Sequence, residues 1–170
     1  MLSPTYLLIP FALQLSAMAV DEFCFHWRRP LPRWERIGHP LDTLTVLACF
    51  AWLLLTPPNR YSISVYTGLC VFSCLFVTKD EKVHHRCCSA GEHWLHALLF
   101  ILHPMVLLSA GLLWASMYGS APASGWLRYE GHEKAFLMGI TALTLFYGLY
   151  QLIYWNVIWR PQTASEKSAR

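Results

Sequence analysis

Residues 80–96 read DEKVHHRCCSAGEHWLH and sit at the junction between two strongly apolar segments. These seventeen residues hold three carboxylates, four histidines and two cysteines, a density of metal-ligand types that ordinary surface does not call for. On either side the chain is apolar over lengths that suit a membrane-spanning helix, at residues 61–78 and 94–118. The stretch is therefore read as two helix ends and a loop at a membrane boundary.

Working outward, further apolar blocks lie at 2–20, 41–56 and 135–159. The expected fold is all-α, a polytopic membrane protein with about five transmembrane helices in a single transmembrane domain over residues 1–170. A composition of 55% hydrophobic and 14% charged residues agrees with it. The 41–56 block is short for a span and must borrow from its flanks. Pro57 and Pro58 end that block, leaving Asn59 and Arg60 for a tight turn between antiparallel helices. Pro30 and Pro32 break the polar loop after the first block, and Pro104 is expected to kink the fourth helix and free a backbone carbonyl. Ala17-Met18-Ala19 has the small-x-small form of a signal-peptidase site, but the block lacks a basic n-region, so residues 1–19 are expected to be retained.

The net charge of +3 and the scatter of basic residues at block ends exclude a nucleic-acid surface. Ten of the thirteen Lys and Arg fall on one side of the expected membrane. That bias places the motif loops and the C-terminus in the cytoplasm and the N-terminus outside, in an integral cell (inner) membrane protein. Cys49, Cys70 and Cys74 lie within apolar blocks and Cys24 at the end of one, which argues against a disulfide scaffold. Adjacent Cys87 and Cys88 cannot pair without strain and are left as thiols, candidate ligands or acylation sites.

A fainter copy of the motif runs over residues 21–42. Aligning Asp21-Glu22 with Asp80-Glu81 relates an internal repeat, 1–58 and 60–118, at an offset of 59 residues. His26 then falls on His85. With five fewer residues in the second loop, His39 falls on His93 and Asp42 on His96. Two tandem helical hairpins follow, related by a pseudo-two-fold axis along the membrane normal, with the span at about 135–159 beside them.

Each unit offers Glu-x-x-x-His at the end of one helix and His-x-x-Asp or His-x-x-His at the start of the next, spacings that share a helix face. The candidate metal ligands are Glu22, His26, His39, Asp42, Glu81, His85, His93 and His96. Glu81-x-x-His84 also has helical spacing, so His84 competes with His85, and Glu92-x-x-x-His96 competes with His93. Asp21, Asp80 and Glu92 are expected either behind the ligands, orienting histidine rings, or as alternate ligands themselves. This donor logic resembles that of di-iron carboxylate bundles. Mixed carboxylate and imidazole ligands suit two metal ions, iron first, with zinc or manganese as alternatives.

Other residues have plainer readings. His103, two turns beyond His96, is a ligand, a proton relay or, as the preferred reading, a partner of the carbonyl freed by Pro104. His132 is expected to be solvated. Phe146, Tyr147, Tyr150, Tyr154, Trp155 and Trp159 fit an interfacial belt, and Gln151 and Asn156 either bond a neighbouring span or line a cavity. Thiols beside an oxygen-activating centre are in tension with iron, because they oxidise.

No phosphate loop, His-Glu-x-x-His motif, nucleophile elbow or desaturase histidine box is present. The functional expectation is a membrane metalloprotein with a dinuclear, non-haem iron site at the cytoplasmic boundary, an oxidoreductase acting on a lipid-like or other apolar substrate. A zinc ion in the same donors makes it a hydrolase instead. The alternatives are a metal-ion transporter or delivery protein and a structural subunit of a membrane complex, with a homo-oligomer or a complex partner in view.

Overall fold

The structure is a computed structural model that describes residues 4–28, 31–80, 88–119 and 131–159. Every regular element among these residues is helical. Five helices are long and apolar enough to cross a membrane: Thr5–Arg28, Arg33–Leu55, Arg60–Lys79, Ala90–Met117 and Glu133–Ile158. Their α-helical parts are α1 (Ile9–Val20), α2 (Arg33–Leu55), α3 (Arg60–Phe76), α4 (Ala90–Met117) and α5 (Glu133–Ile153).

The helix ends follow local chemistry. Pro32 has an extended ψ of 150°, and α2 begins on the next residue. Asn59 and Ser62 form a reciprocal capping box at the start of α3. Ser89 accepts a hydrogen bond from the Glu92 backbone N–H at the start of α4. The second span recovers its length by extending through its polar first turns, so that Glu35, Gly38, His39 and Asp42 stand on α2 ahead of its apolar run. Pro40 lies inside that helix, past its first turn, so the Arg36 carbonyl receives no backbone N–H from position 40; Asn156 Nδ2 donates to that carbonyl at 2.9 Å.

α4 packs against every other helix. α1 lies chiefly on α4 instead of on its sequence neighbour α2, while α2 is held between α3 and α5. Phe11, Phe50, Leu53, Tyr66, Leu107 and Leu137 belong to the common core. Where α3 crosses α4, a Cβ on Gly111 would meet the Tyr66 ring at 2.9 Å, so the close approach requires glycine. Tyr66 Oη then donates to the Leu107 carbonyl at 2.6 Å, leaving no buried hydroxyl unsatisfied at this crossing.

Among the described residues, Cys24, Cys49, Cys70, Cys74 and Cys88 form no disulfide. The remaining one, Cys87, lies outside the described residues, as do Glu81, His84 and His85.

Candidate metal centre

α1 does not end where its apolar block ends. It widens into a π-helical turn at Asp21–Phe25 and tightens again over His26–Arg28. The His26 backbone N–H donates to the carbonyls of both Asp21 and Glu22. An α-helix turns about 100° per residue, which puts residues five apart off one face; a π turn, closing i→i+5 bonds, draws them together. Accordingly Asp21 Oδ2 lies 3.3 Å from His26 Nε2, while Glu22 Oε2 lies 3.2 Å from His26 Nδ1. The imidazole is thus held between two carboxylates of its own helix.

The first turns of α4 bring Glu92 and His96 to the same place. His96 Nε2 lies 3.2 Å from Asp21 Oδ1. Asp21, His26, Glu92 and His96 are all buried, and one ligand atom from each falls within 4.8 Å of the others. This buried acidic and histidine cluster could hold a metal ion.

A second group adjoins it. One ligand atom each from His26, Glu35 and His39 also lies within 4.8 Å of the others, and the His26 and His39 ring centroids are 4.8 Å apart. Glu35 is 0% exposed. Glu35 is not among the candidates that the repeat singles out, yet its signal is present in the sequence: Glu35-x-x-x-His39 repeats the spacing of Glu22-x-x-x-His26 and Glu92-x-x-x-His96.

Glu22 is gripped from α5. Its Oε1 accepts a hydrogen bond from Tyr150 Oη at 2.6 Å and one from Trp155 Nε1 at 2.8 Å. With Oε2 on His26, both of its oxygens are engaged. Trp155 reaches it because α5 also ends in a π turn, Tyr154–Ile158, which is docked on α2 through Asn156 Nδ2 donating to the Arg36 carbonyl at 2.9 Å. The expectation of an aromatic belt on α5 is therefore corrected: Phe146 is exposed, but Trp155 is buried and serves the cluster together with Tyr150. Gln151 both lines the adjoining chamber and accepts a hydrogen bond from Thr43 Oγ1 at 2.7 Å.

The other candidates stand elsewhere. Asp42 takes Lys79 Nζ at 2.7 Å on each carboxylate oxygen, tying α2 to the end of α3. His93 is half-buried on α4 and belongs to neither group. The backbone of Asp80 closes the short turn Val77–Asp80 after α3. Cys88 precedes α4 and is likewise outside both groups. His103 Nε2 lies 2.9 Å from Ser73 Oγ, so its partner is a hydroxyl of α3 and not a carbonyl freed by Pro104.

Beside the cluster lies a chamber of about 440 Å³, whose wall includes Asp21, His26, His39 and His96 at one end. Comparison with protein families, with curated proteins and with solved structures yields no match to this chain.

Proposed function

We propose that the chain is a membrane-embedded oxidoreductase with a dinuclear non-haem centre, iron being the ion its donors suit best, acting on an apolar substrate. The observation that carries this reading is the convergence of Asp21, His26, Glu92 and His96 from two separate helices into one buried group. Burying carboxylates is costly unless their charge is paired or they coordinate a metal. Oxygen and imidazole donors without thiolate suit iron or manganese, and zinc as well.

Asp21, His26, Glu92 and His96 would hold one ion, and Glu35 and His39 the second. Glu22 orients His26: by taking Nδ1 it leaves Nε2 directed at the first group, the arrangement in which a carboxylate behind a histidine fixes its tautomer and raises its basicity. Tyr150 and Trp155 hold Glu22 in turn. Iron bound there supplies one-electron and dioxygen chemistry. The chamber excludes water from the neighbouring space and admits an apolar molecule from the bilayer.

The pseudo-two-fold repeat is kept in this proposal. The α1–α4 and α2–α3 packings are the pair such an axis would interchange. The Glu-x-x-x-His spacings favour matching Glu35 with Glu92 and His39 with His96, and the spacing recurs in sequence at Glu81 and His85. We likewise assign the protein to the cell (inner) membrane with the cluster at the cytoplasmic boundary, as the distribution of basic residues indicates. A cation route is disfavoured because the chamber continues toward Phe11, Phe50 and Val106, which offer an ion no ligands.

Elemental analysis of the purified protein tests the reading. Two irons per chain are expected, with the ion of the first group lost in Asp21→Ala and in His96→Ala. A protein that takes up no iron, manganese or zinc ends the proposal.

A further inference from the structure

The chamber is graded in polarity. Its walls run from His26, His39 and His96 at one end to Phe11, Phe50 and Val106 at the other. On α1, α2 and α4 alike the apolar set lies about ten residues from the cluster, roughly 15 Å at the rise of an α-helix. The far end therefore lies inside the span, and the long axis of the chamber follows the helices.

The polar groups midway along the wall are engaged within the protein. Thr43 Oγ1 donates to Gln151 Oε1 at 2.7 Å, Thr144 Oγ1 donates to the Ile140 carbonyl at 2.8 Å, and His103 is bonded to Ser73 at 2.9 Å. Gln14 is the exception, its amide oxygen being buried without a hydrogen-bond partner. Beyond the cluster the chamber thus offers a ligand little polarity.

We infer that the chamber takes a single-chain amphiphile, its polar head at the cluster and its hydrocarbon chain extended toward Phe11, Phe50 and Val106. The opposite orientation would bring a hydrocarbon terminus against buried carboxylates and imidazoles, and would leave the head with Gln14 as its one open partner. Lipid tails are as apolar as these walls, so the chain gains little by entering and the head contacts select the substrate. The carbons presented to the centre are those next to the head. Which carbons react rests on the metal-centre reading; how the chain lies does not.

The test uses the full chain in lipid nanodiscs, stripped of metal by chelation, with methyl palmitate analogues, whose uncharged head is not repelled by the buried carboxylates, carrying a photoreactive diazirine either on the terminal carbon or beside the ester group. Peptide mass spectrometry locates the adducts. The terminal label is expected around Phe11, Phe50 and Val106, and the head-side label around Ala19, Phe23 and Leu99. Val106→Trp, and Ile140→Trp as a second variant, fill the far end and should abolish the terminal-label adducts of methyl palmitate while methyl decanoate still labels. A reversed order of adducts, or adducts confined to outward-facing positions such as Leu108 and Phe146 and unchanged in both variants, overturns the inference. Because no metal is present, such a failure is separate from a failure of the metal-centre reading, which would leave the adduct pattern standing.

Discussion

Asp21 Oδ1 lies 3.2 Å from His96 Nε2, a contact that joins the end of the first span to the start of the fourth. The same carboxylate reaches His26 with its other oxygen. Asp21 thus bridges the histidines of the two helices, with one oxygen on each.

Asp21→Ala and His96→Ala should each lose the ion of the first group, with a consequence for stability. A ligand bound at a hundred times its Kd stabilises the native state by about 2.7 kcal/mol. Chelation should therefore lower the thermal midpoint of the wild-type protein more than that of either variant. A chelator-insensitive wild-type midpoint, measured in detergent with and without added iron, contradicts a bound metal.

Glu22→Gln keeps the shape of the side chain but removes its charge from His26. Metal affinity should fall about 10- to 100-fold, the usual effect of losing a carboxylate behind a histidine ligand. Tyr150→Phe removes only one of the two bonds to Glu22 Oε1 and should act more weakly, through roughly 1 kcal/mol of lost hydrogen bonding. Titration of the chelated protein with iron separates the two, and equal effects would assign Tyr150 a role beyond holding Glu22.

The five long apolar helices were legible in the sequence because length and apolar composition are local properties of the chain. The cluster was legible only in part. Spacing arguments assume one helical period, and the π turn at Asp21–Phe25 changes it, placing Asp21 in the group that holds His26 and leaving Glu22 behind His26. Glu35 carried the right spacing to His39, but it stands ahead of the apolar run that marks α2. The roles of Tyr150 and Trp155 depend on packing between residues more than a hundred positions apart, which no local pattern reports. Asp42 had ligand spacing to His39, and only the fold reveals Lys79 against it.

The Asp42–Lys79 pair makes a contrasting prediction. Both side chains are largely buried, so Asp42→Ala should destabilise the protein by about 1.5–3 kcal/mol, the range for hydrogen bonds to charged groups, without changing its metal content. Lys79→Met strands the Asp42 carboxylate as Asp42→Ala strands the Lys79 ammonium, so the two should cost comparable amounts. Unfolding midpoints and elemental analysis on the same samples check both statements. Metal loss in Asp42→Ala would return Asp42 to the ligand set.

Gly111→Ala tests the α3–α4 crossing. The added methyl would stand 2.9 Å from the Tyr66 ring, and overpacking of this kind costs about 1–3 kcal/mol. Tyr66→Ala in the same chain should relieve part of that strain, so the double variant should be more stable than the sum of the two single effects. Strict additivity of the unfolding midpoints would place the strain elsewhere.

Glu35 decides how many ions the centre holds. His26 stands in both ligand groups, but with Nδ1 committed to Glu22 it offers one nitrogen, and one nitrogen serves one ion. If Asp21, Glu92 and His96 claim that nitrogen, Glu35 and His39 must hold the second ion with the help of a shared carboxylate. Glu35→Ala should then halve the metal content and leave the remaining ion sensitive to His96→Ala. Loss of all metal in Glu35→Ala would mean a single ion that draws on both groups, and full retention would make Glu35 a partner of His39 with no ion of its own.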